Sequence, residues 1–269
     1  MDFDIKTALI TGASSGIGAE FARQLAQGGY SLVLVARRRD RLKNMAEDLQ
    51  NRYKVGVETI PADLSVDNEI QQLAQLIQEN YTIDLLVNNA GFGLYGSFAE
   101  LDSSLHIDMV HVHVIASICL AHAALPGMIS RGHGAIINVS SLAGLLPVRN
   151  VSYGASKAYL ITFSETLQRE LKGTGIKIQA LCPGFTHTEF HDNRGLTGFK
   201  RSAIPQSLWS STEKVVRDSL KALHRGKTIC VPGMINRLAA LLGSTRFTTN
   251  IAYLVVNLSS GKNKRSRKG

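Results

Sequence analysis

The sequence predicts an α/β fold in which a doubly wound, parallel sheet of seven strands carries helices on both faces. Short apolar stretches alternate with longer helical patterns along the chain, as expected of repeated strand–helix–strand units. Right-handed crossovers and the joining of two such halves predict the strand order 3-2-1-4-5-6-7. The predicted strands are residues 5–11, 31–35, 55–61, 83–87, 135–139, 176–181 and 228–231.

The size and composition of the chain suit one large α/β domain or two small ones. It has 269 residues, of which 44% are apolar, enough for a sizeable core. We divide it into residues 1–233, with a substrate loop at 187–212, and residues 234–269, an apolar segment followed by a basic tail. The tail holds five of the nine net positive charges. Because the chain has no zinc-ligand spacing and no aromatic platform, we expect no nucleic-acid partner.

Cysteine usage and the N-terminus predict a cytoplasmic protein. Cys119, Cys182 and Cys230 have no spacing typical of a disulfide or a metal site, so a reducing interior is expected. The N-terminus enters a strand at once, so we expect no signal peptide, and no apolar run approaches the ~20 residues that span a bilayer. Histidines are frequent on the predicted helix 103–130, but they do not share one turn, and no metal site is predicted.

A glycine-rich turn follows the first predicted strand. Gly12, Gly16 and Gly18 have the spacing G-x-x-x-G-x-G and precede a helix. Glycines permit a tight turn, and a helix N-terminus offers free N–H groups and a positive dipole. The turn therefore suits a dinucleotide phosphate better than a plain strand–helix connection. The predicted cofactor contacts here are Gly12, Ser14, Ser15, Gly16, Ile17 and Gly18.

The end of the second strand predicts which nicotinamide cofactor is bound. In dinucleotide-binding folds, a carboxylate about 20 residues beyond the glycines holds the ribose 2′-hydroxyl of NAD(H). Here that place is taken by Ala36, Arg37, Arg38 and Arg39. Guanidinium groups can bind a 2′-phosphate through paired hydrogen bonds, so Arg37 and Arg38 favour NADP(H). The alternative is that these arginines only solvate the start of a helix.

Polar and small residues also follow the third, fourth and sixth predicted strands. The carboxyl ends of parallel strands lie at one edge of the sheet, where such folds bind ligands, so we expect these residues to line one cleft. Asp63 could accept a hydrogen bond from the adenine amino group, or it could cap the helix that begins near Val66, and Ser65 competes for that cap. The expected contacts are Asp63, Leu64, Asn89, Ala90, Gly91, Pro183, Gly184, Phe185, Thr186 and Thr188.

Tyr153 and Lys157 are four residues apart at the start of a predicted helix. Positions i and i+4 share a helix face, so the phenol and the ammonium project together. A nearby ammonium lowers the pKa of a phenol, and a lowered pKa would make Tyr153 a usable acid and base near neutral pH. The same spacing occurs by chance on many solvated helices, so this prediction depends on the rest of the chain.

The chain resembles the short-chain dehydrogenase/reductase family over residues 5–232. The resemblance rests on the glycine turn, Asp63, residues 88–91, Ser141, Tyr153, Lys157, Pro183 and Gly184, all in the family order. It implies a Rossmann fold and an NADP(H)-dependent oxidoreductase that transfers a hydride between nicotinamide and a carbonyl or alcohol. The alternative is a non-catalytic NADP(H)-binding regulatory or scaffold protein, which would need no catalytic acid.

The resemblance also implies roles for individual residues. Tyr153 would be the general acid in carbonyl reduction and the general base in alcohol oxidation. Lys157 would lower the pKa of Tyr153 and hydrogen-bond the nicotinamide ribose. Ser141 would hydrogen-bond the substrate oxygen, where negative charge develops. Thr186 and Thr188 would hold the carboxamide or the pyrophosphate of the cofactor.

Two positions depart from the family pattern. His113 stands where the family has an asparagine that holds a proton-relay water for Lys157. His113 could keep such a relay, or it could be a packed helix histidine with the relay elsewhere. The usual family spacing to Tyr153 would select Ser140 as the catalytic serine, whereas the local Ser-x-x-Gly pattern selects Ser141. We favour Ser141, because strand ends fix geometry and loops absorb deletions.

Two further surfaces are predicted to meet partners. In the family the long fourth and fifth helices pair between subunits, so a homodimer or homotetramer is expected. The apolar residues on these helices are Val112, Ile115, Ile118, Leu160, Phe163 and Leu167. Residues 234–258 are apolar but interrupted by arginines, so with the basic tail they could lie on an anionic membrane or form a helix packed on the body. Phe199, Leu208 and Trp209 in the substrate loop suggest an apolar small-molecule substrate.

Overall fold

The computed structural model of the protein describes residues 6–94, 96–146, 150–192 and 204–243. Within them, seven parallel strands form one sheet in the order β3-β2-β1-β4-β5-β6-β7, which confirms the predicted topology. The strands are β1 (Thr7–Thr11), β2 (Ser31–Ala36), β3 (Val57–Pro61), β4 (Leu85–Asn88), β5 (Gly134–Val139), β6 (Ile176–Leu181) and β7 (Ile229–Cys230).

Helices connect the strands and cover both faces of the sheet. They are α1 (Gly16–Gln27), α2 (Arg39–Tyr53), α3 (Asp67–Asn80), α4 (Ser103–Val110), α5 (Ala116–Arg131), α6 (Val151–Glu170), α7 (Thr212–His224) and α8 (Met234–Gly243). The long helix predicted at 103–130 is present, but a π-helical turn, His111–Ile115, separates α4 from α5. Such turns often occur at functional sites, and this one carries His113.

The sheet is buried on both faces because its strands are apolar at consecutive positions. In β1, Ala8 and Ile10 belong to the core cluster under α1, α2 and α7, whereas Leu9 belongs to the cluster under α3 and α5. Side chains alternate between the two faces of a strand, so a continuous apolar run fills both layers. Burial of each leucine or isoleucine contributes roughly 1.5–3 kcal/mol. The sheet edge that carries the site is therefore held by a well-packed core.

The helical stretch Ser103–Arg131 corrects one expectation. In the part of the chain that the structure describes, it is the one helix long and apolar enough to cross a membrane, so the expectation that no apolar run reaches that length was wrong. Half of its most apolar window is buried inside the fold. Its second half, α5, packs against α3 and the sheet. Its apolar character is thus used for the core.

The C-terminal segment is helical where the structure describes it. The helix α8 agrees with the apolar pattern, and most of its apolar side chains are exposed. Its Asn236 side chain is buried against Gly184, where an added Cβ would lie 2.7 Å from the Asn236 Oδ1. The basic tail lies outside the described residues, so the membrane contact and the boundary at residue 233 stay predictions.

Candidate active site

Thr11 and Asn89 join the carboxyl ends of β1 and β4. The buried Thr11 hydroxyl accepts hydrogen bonds from the backbone N–H groups of Asn89, over 2.9 Å, and Ala90, over 3.0 Å. The Asn89 side-chain amide donates to the Thr11 carbonyl oxygen over 2.9 Å. The glycine turn and the residues after β4 are therefore fixed to each other and form one wall of a cleft.

The glycine turn has the shape that phosphate binding requires. Gly12 and Gly16 have φ angles of 63° and 59°, which glycine adopts without strain. A Cβ on Gly18 would collide with the Gly12 carbonyl oxygen. The helix α1 begins at Gly16, and within the described residues the Ser15 side chain does not cap it. The N–H groups of the first turn can therefore receive an anion, and the turn fits a dinucleotide pyrophosphate.

Of the two predicted arginines, Arg38 lies beside the glycine turn. Its Nε and Nη2 donate to the Ser14 Oγ over 3.1 and 2.9 Å, and Nη2 also donates to the Ser15 Oγ over 2.7 Å. Arg37 instead lies towards Asp63, with 3.6 Å between its Nη1 and the Asp63 Oδ2, and its side chain is 71% exposed. Arg38 is thus the guanidinium placed next to the phosphate turn.

Asp63 is held after β3 but does not cap α3. Its Oδ1 accepts hydrogen bonds from the Ser65 N–H, over 3.0 Å, and the Ser65 hydroxyl, over 2.8 Å. Val66 is the residue that precedes α3, and among the described residues its side chain makes no cap hydrogen bond, so the alternative in which Asp63 or Ser65 caps this helix is not the one that the structure has. Burial raises the pKa of Asp63, but the Ser65 hydrogen bonds and the Arg37 charge together lower that pKa below its usual value.

Three of the predicted cofactor contacts turn their side chains away from the cleft. Leu64 is buried in the core cluster under α3. Ile17 and Ala90 are partly buried, each packed against one of the two core clusters. For these residues the backbone is the group that a cofactor can reach.

Ser141, Tyr153 and Lys157 come together at the carboxyl end of β5. Asn150 caps α6, and its side chain accepts a hydrogen bond from the Tyr153 N–H over 3.2 Å. The Lys157 Nζ lies 5.7 Å from the centroid of the Tyr153 ring and donates to the Val139 carbonyl oxygen over 2.8 Å. The Ser141 side chain is close enough to Tyr153 to influence the pKa of the phenol. The three side chains form one cluster at the ligand-binding edge of the sheet.

Burial determines the pKa values in this cluster. It raises the pKa of Tyr153, and the Ser141 side chain opposes that rise without cancelling it. It lowers the pKa of Lys157 to about 7, because an ammonium loses solvation inside the protein. The expectation that Lys157 lowers the pKa of Tyr153 is therefore not met in this structure, since desolvation is the largest cause for both groups.

The two serines after β5 have different surroundings. Ser140 is buried, and its Oγ donates to the Lys157 carbonyl oxygen over 2.6 Å. The Ser141 Oγ accepts the Ala143 N–H of the following 3₁₀ turn, Leu142–Gly144, over 3.1 Å, and the Ser141 side chain lowers the pKa of Tyr153. Gly144 explains the Ser-x-x-Gly pattern, because a Cβ there would lie 2.6 Å from the Lys157 carbonyl carbon. The geometry favours Ser141 over Ser140 as the serine that faces a substrate.

His113 is buried and uses both ring nitrogens. Its Nε2 accepts a hydrogen bond from the Phe92 N–H over 3.1 Å, so Nδ1 carries the proton and donates to the Ser156 Oγ over 2.8 Å. Burial, and then the Lys157 charge, lower the pKa of His113 well below its usual value, so the ring is neutral. With both nitrogens occupied by described residues, the geometry favours the packed-histidine alternative over the water relay.

The segment after β6 lies over the glycine turn. Thr186 is buried, and its Oγ1 donates to the Gly184 carbonyl oxygen over 3.0 Å. A Cβ on Gly16 would lie 3.1 Å from the Thr188 methyl carbon. Thr188 is therefore next to the start of α1, where a pyrophosphate is expected. Residues 193–203 of the predicted substrate loop, including Phe199, lie outside the described residues.

Aromatic rings line the other side of the cluster. The Phe190 ring centroid lies 5.9 Å from that of Tyr153. Trp209 stacks on His187, with 4.9 Å between centroids, and its ring lies 5.5 Å from Phe185. This surface suits an apolar ligand better than a charged one.

Several residues that shape the site were not predicted as site residues. Glu189 is the clearest case, because its carboxylate contacts Arg38 and Arg41 across the cleft. Asn138 in β5 is fully buried and hydrogen-bonds the Asn88 amide over 2.9 Å. An asparagine inside an apolar strand is a signal that could have marked it, whereas no local pattern marks Glu189. The other residues are Thr11, Phe92 and Ser156.

The chain belongs to the short chain dehydrogenase family, whose model matches residues 6–197. An uncharacterized oxidoreductase of Staphylococcus epidermidis is 34% identical over 185 residues, which are 68% of this chain and 79% of that protein. Sulfoacetaldehyde reductase 2 of Chromohalobacter salexigens is 34% identical over 237 residues, 87% of this chain and 92% of that protein. A short-chain dehydrogenase from Sphingobium yanoikuyae, solved with NADPH, has a TM-score of 0.81 and 30% identity over 98% of both chains. The protein is therefore an oxidoreductase of this family.

Proposed function

We propose that the protein is an NADP(H)-dependent carbonyl reductase or alcohol dehydrogenase with Tyr153 as its general acid and base. The cluster of Ser141, Tyr153 and Lys157 at the carboxyl end of β5 carries the proposal. A regulatory or scaffold protein that only binds the cofactor needs no such cluster, and the relatives lend that alternative no support.

The residues of the cluster divide the chemistry of reduction among them. The nicotinamide cofactor supplies the hydride when it is bound. Tyr153 gives its hydroxyl proton to the substrate oxygen, while Ser141 donates a hydrogen bond to that oxygen as negative charge develops on it. The raised pKa of Tyr153 keeps the phenol protonated at neutral pH. Lys157 lies on the same helix face and would hydrogen-bond the ribose of the nicotinamide.

The cofactor preference rests on the end of β2. Arg38 donates hydrogen bonds into the glycine turn, and the residues that follow β2 include no carboxylate at the position where NAD(H)-binding folds hold the ribose 2′-hydroxyl. The structural relative from Sphingobium yanoikuyae carries NADPH, which supports the same choice. The pyrophosphate and the nicotinamide half of NADP(H) would be held by the glycine turn, by Thr188 and by the backbone that follows β4.

The substrate class is a small carbonyl or alcohol with an apolar part. Phe190 beside Tyr153 and the stacked pair of His187 and Trp209 support that proposal. The test is a turnover screen of ketones, aldehydes and sugars with NADPH and with NADH, using Tyr153→Phe as the matched control. NADPH oxidation by the wild type that disappears in Tyr153→Phe is expected. Tight NADPH binding without turnover of any class would favour the regulatory alternative.

Assembly and location complete the proposal. We expect a homodimer or homotetramer that meets through α6 and the long helical stretch Ser103–Arg131, which comprises α4, the π-helical turn and α5. Of the residues expected there, Val112, Ile115, Phe163 and Leu167 are partly buried against the core. Ile107, Val110 and Val151, on α4 and α6, are 55%, 41% and 57% exposed. Leu160, expected on that face, is only 1% exposed and belongs to the core. The three cysteines are free thiols, which suits the reducing cytoplasm.

A further inference from the structure

Glu189 joins the segment after β6 to the arginines after β2. It is the first residue of the 3₁₀ turn Glu189–Asp192. Its carboxylate accepts a hydrogen bond from the Arg38 Nη1 over 3.1 Å and two from the Arg41 Nη1 over 2.9 and 2.7 Å. These partners are 151 and 148 residues away in sequence. The contact therefore bridges two separate turns on the ligand-binding edge of the sheet.

The Arg38 guanidinium has all three of its nitrogens engaged. Nε and Nη2 donate to Ser14 and Ser15, and Nη1 donates to Glu189. A guanidinium that binds a 2′-phosphate through paired hydrogen bonds uses two adjacent N–H donors. The serine hydroxyls can themselves donate to a phosphate, so they are compatible with one. Glu189 engages Nη1, so a phosphate that binds Arg38 through Nη1 and Nη2 has to displace this carboxylate, which has only acceptors and cannot donate a hydrogen bond to the phosphate.

The Glu189 carboxylate and the 2′-phosphate repel each other at short range because both are negatively charged. Hydrogen bonds from Arg41 and Arg38 lower the pKa of Glu189, so its carboxylate is ionised at neutral pH. A 2′-phosphate approaching the same arginines meets this like charge. NAD(H) carries a 2′-hydroxyl at that position and meets no such repulsion.

We propose that Glu189 is a specificity-determining residue that competes with the 2′-phosphate of NADP(H) for Arg38 and Arg41. The inference rests on the proposed NADP(H) dependence and deepens it. NADP(H) binds by displacing the carboxylate from the two arginines, whereas NAD(H) binds with the contact intact. Glu189 therefore weakens NADP(H) binding and narrows the preference for NADP(H) over NAD(H).

The experiment is calorimetric titration of the full-length protein with NADP⁺ and with NAD⁺ at low salt. Glu189→Gln keeps the size of the side chain and removes its charge. Because the three side chains are 43–51% exposed, the NADP⁺ affinity should rise by about three- to tenfold, while the NAD⁺ affinity should stay within about twofold. The gain should shrink at high salt, since exposed charges are screened.

Two further variants separate competition from a general charge effect. Asp48→Asn removes one negative charge from an exposed ion pair with Arg52 on α2, where 3.6 Å separates the charged atoms. This control should leave both affinities unchanged. In an Arg38→Ala background, Glu189→Gln should lose most of its effect on NADP⁺, as a double-mutant cycle requires of two interacting residues.

Each outcome has one meaning. Unchanged or weaker NADP⁺ binding by Glu189→Gln overturns the inference and makes Glu189 a residue that orients Arg38. An equal gain for both cofactors, or the same gain from Asp48→Asn, overturns it as well. Equal wild-type affinities for NADP⁺ and NAD⁺ would refute the proposed cofactor preference alone. A preference for NADP⁺ that emerges only in Glu189→Gln would still support the competition.

Discussion

The His113 Nδ1 lies 2.8 Å from the Ser156 Oγ, and this buried hydrogen bond ties the π-helical turn to the helix that carries Tyr153. Ser156 continues the chain by donating to the Tyr153 carbonyl oxygen over 3.0 Å. On its other side, the His113 ring accepts the Phe92 N–H. A Cβ on Gly91 would lie 2.7 Å from the His113 Nε2, so the lack of a side chain at position 91 leaves room for the imidazole ring. His113 is thus a positioning residue between the loop after β4 and α6.

The neutral, buried ring of His113 predicts that the free energy of unfolding falls in acid. Because the folded pKa of His113 lies well below the unfolded value of 6.5, the unfolded state binds more protons once the pH falls below that value. Stability contributed by the neutral ring is present above about pH 6.5 and is lost as the pH falls, by up to about 1.4 kcal/mol per pH unit. Urea unfolding at several acidic pH values should show a shallower loss for His113→Asn than for the wild type.

The matched control for that prediction is His122→Asn, which removes an exposed histidine from α5. It should keep the wild-type dependence of the unfolding free energy on pH. Lys157 and the Tyr153 ring face His113 from α6, so a Lys157→Met background tests how far the ammonium contributes. If His113→Asn and the wild type lose stability in parallel, the ring is not the source of the acid sensitivity.

Gly144 predicts a second sensitive position. The 3₁₀ turn after β5 approaches α6 so closely that a Cβ would lie 2.6 Å from the Lys157 carbonyl carbon. Gly144→Ala should therefore cost about 1–3 kcal/mol of unfolding free energy and lower turnover, because Ser141 and Lys157 are pushed apart. Gly127→Ala is the control. There an added Cβ meets only the flexible end of Arg131, so thermal unfolding should be unchanged or slightly raised.

The topology was predictable because its signals are local. The apolar run in β1, the glycine turn that follows it, and Tyr153 four residues before Lys157 each lie within one short stretch. Buried parallel strands need such runs, and a helix start needs its own turn chemistry. Each of these features therefore indicated its element without knowledge of the others.

The features that were missed depend on contacts between distant segments. The π-helical turn at His111–Ile115 interrupts a helix whose apolar pattern is continuous, so periodicity predicted a single helix. The hydrogen bond between Arg38 and Glu189 joins two loops that are 151 residues apart in the sequence. The pKa of Tyr153 was expected to fall from its spacing to Lys157, whereas it rises because of burial, a property that the spacing does not contain.

Arg38 should contribute more to NADP⁺ binding than Arg37. Arg38 contacts Ser14 and Ser15 of the phosphate turn, whereas Arg37 is 71% exposed beside Asp63. Loss of a charge-assisted hydrogen-bonding group costs about 1.5–3 kcal/mol, so Arg38→Ala should weaken NADP⁺ binding by about ten- to a hundredfold. Calorimetry should show a smaller loss for Arg37→Ala. An equal loss for both variants would contradict the placement.

The oligomer prediction can be tested on α4. Ile107 is an apolar residue that is 55% exposed on the helix expected to meet a second subunit. An aspartate there would bring a charge into that interface, so Ile107→Asp should shift a dimer or tetramer towards the monomer in light scattering at micromolar concentration. Leu238→Asp is the matched control, because Leu238 is 57% exposed on α8. A monomeric wild type would count against the prediction at once.

Lys157 is expected to lower the free energy of unfolding although turnover requires it. Its pKa falls from 10.5 to about 7 on folding, so between these values the unfolded state binds more protons and wild-type stability rises with pH. Lys157→Met removes the buried ammonium and should raise the unfolding free energy at neutral pH by about 1–4 kcal/mol while abolishing turnover. That difference should shrink as the pH rises towards 10.5, where the amine is neutral in both states.

Lys177→Met is the control, since Lys177 also donates to a backbone carbonyl, that of His224, but at the surface. A destabilised Lys157→Met protein at neutral pH would mean that the hydrogen bond to Val139 outweighs the cost of burial.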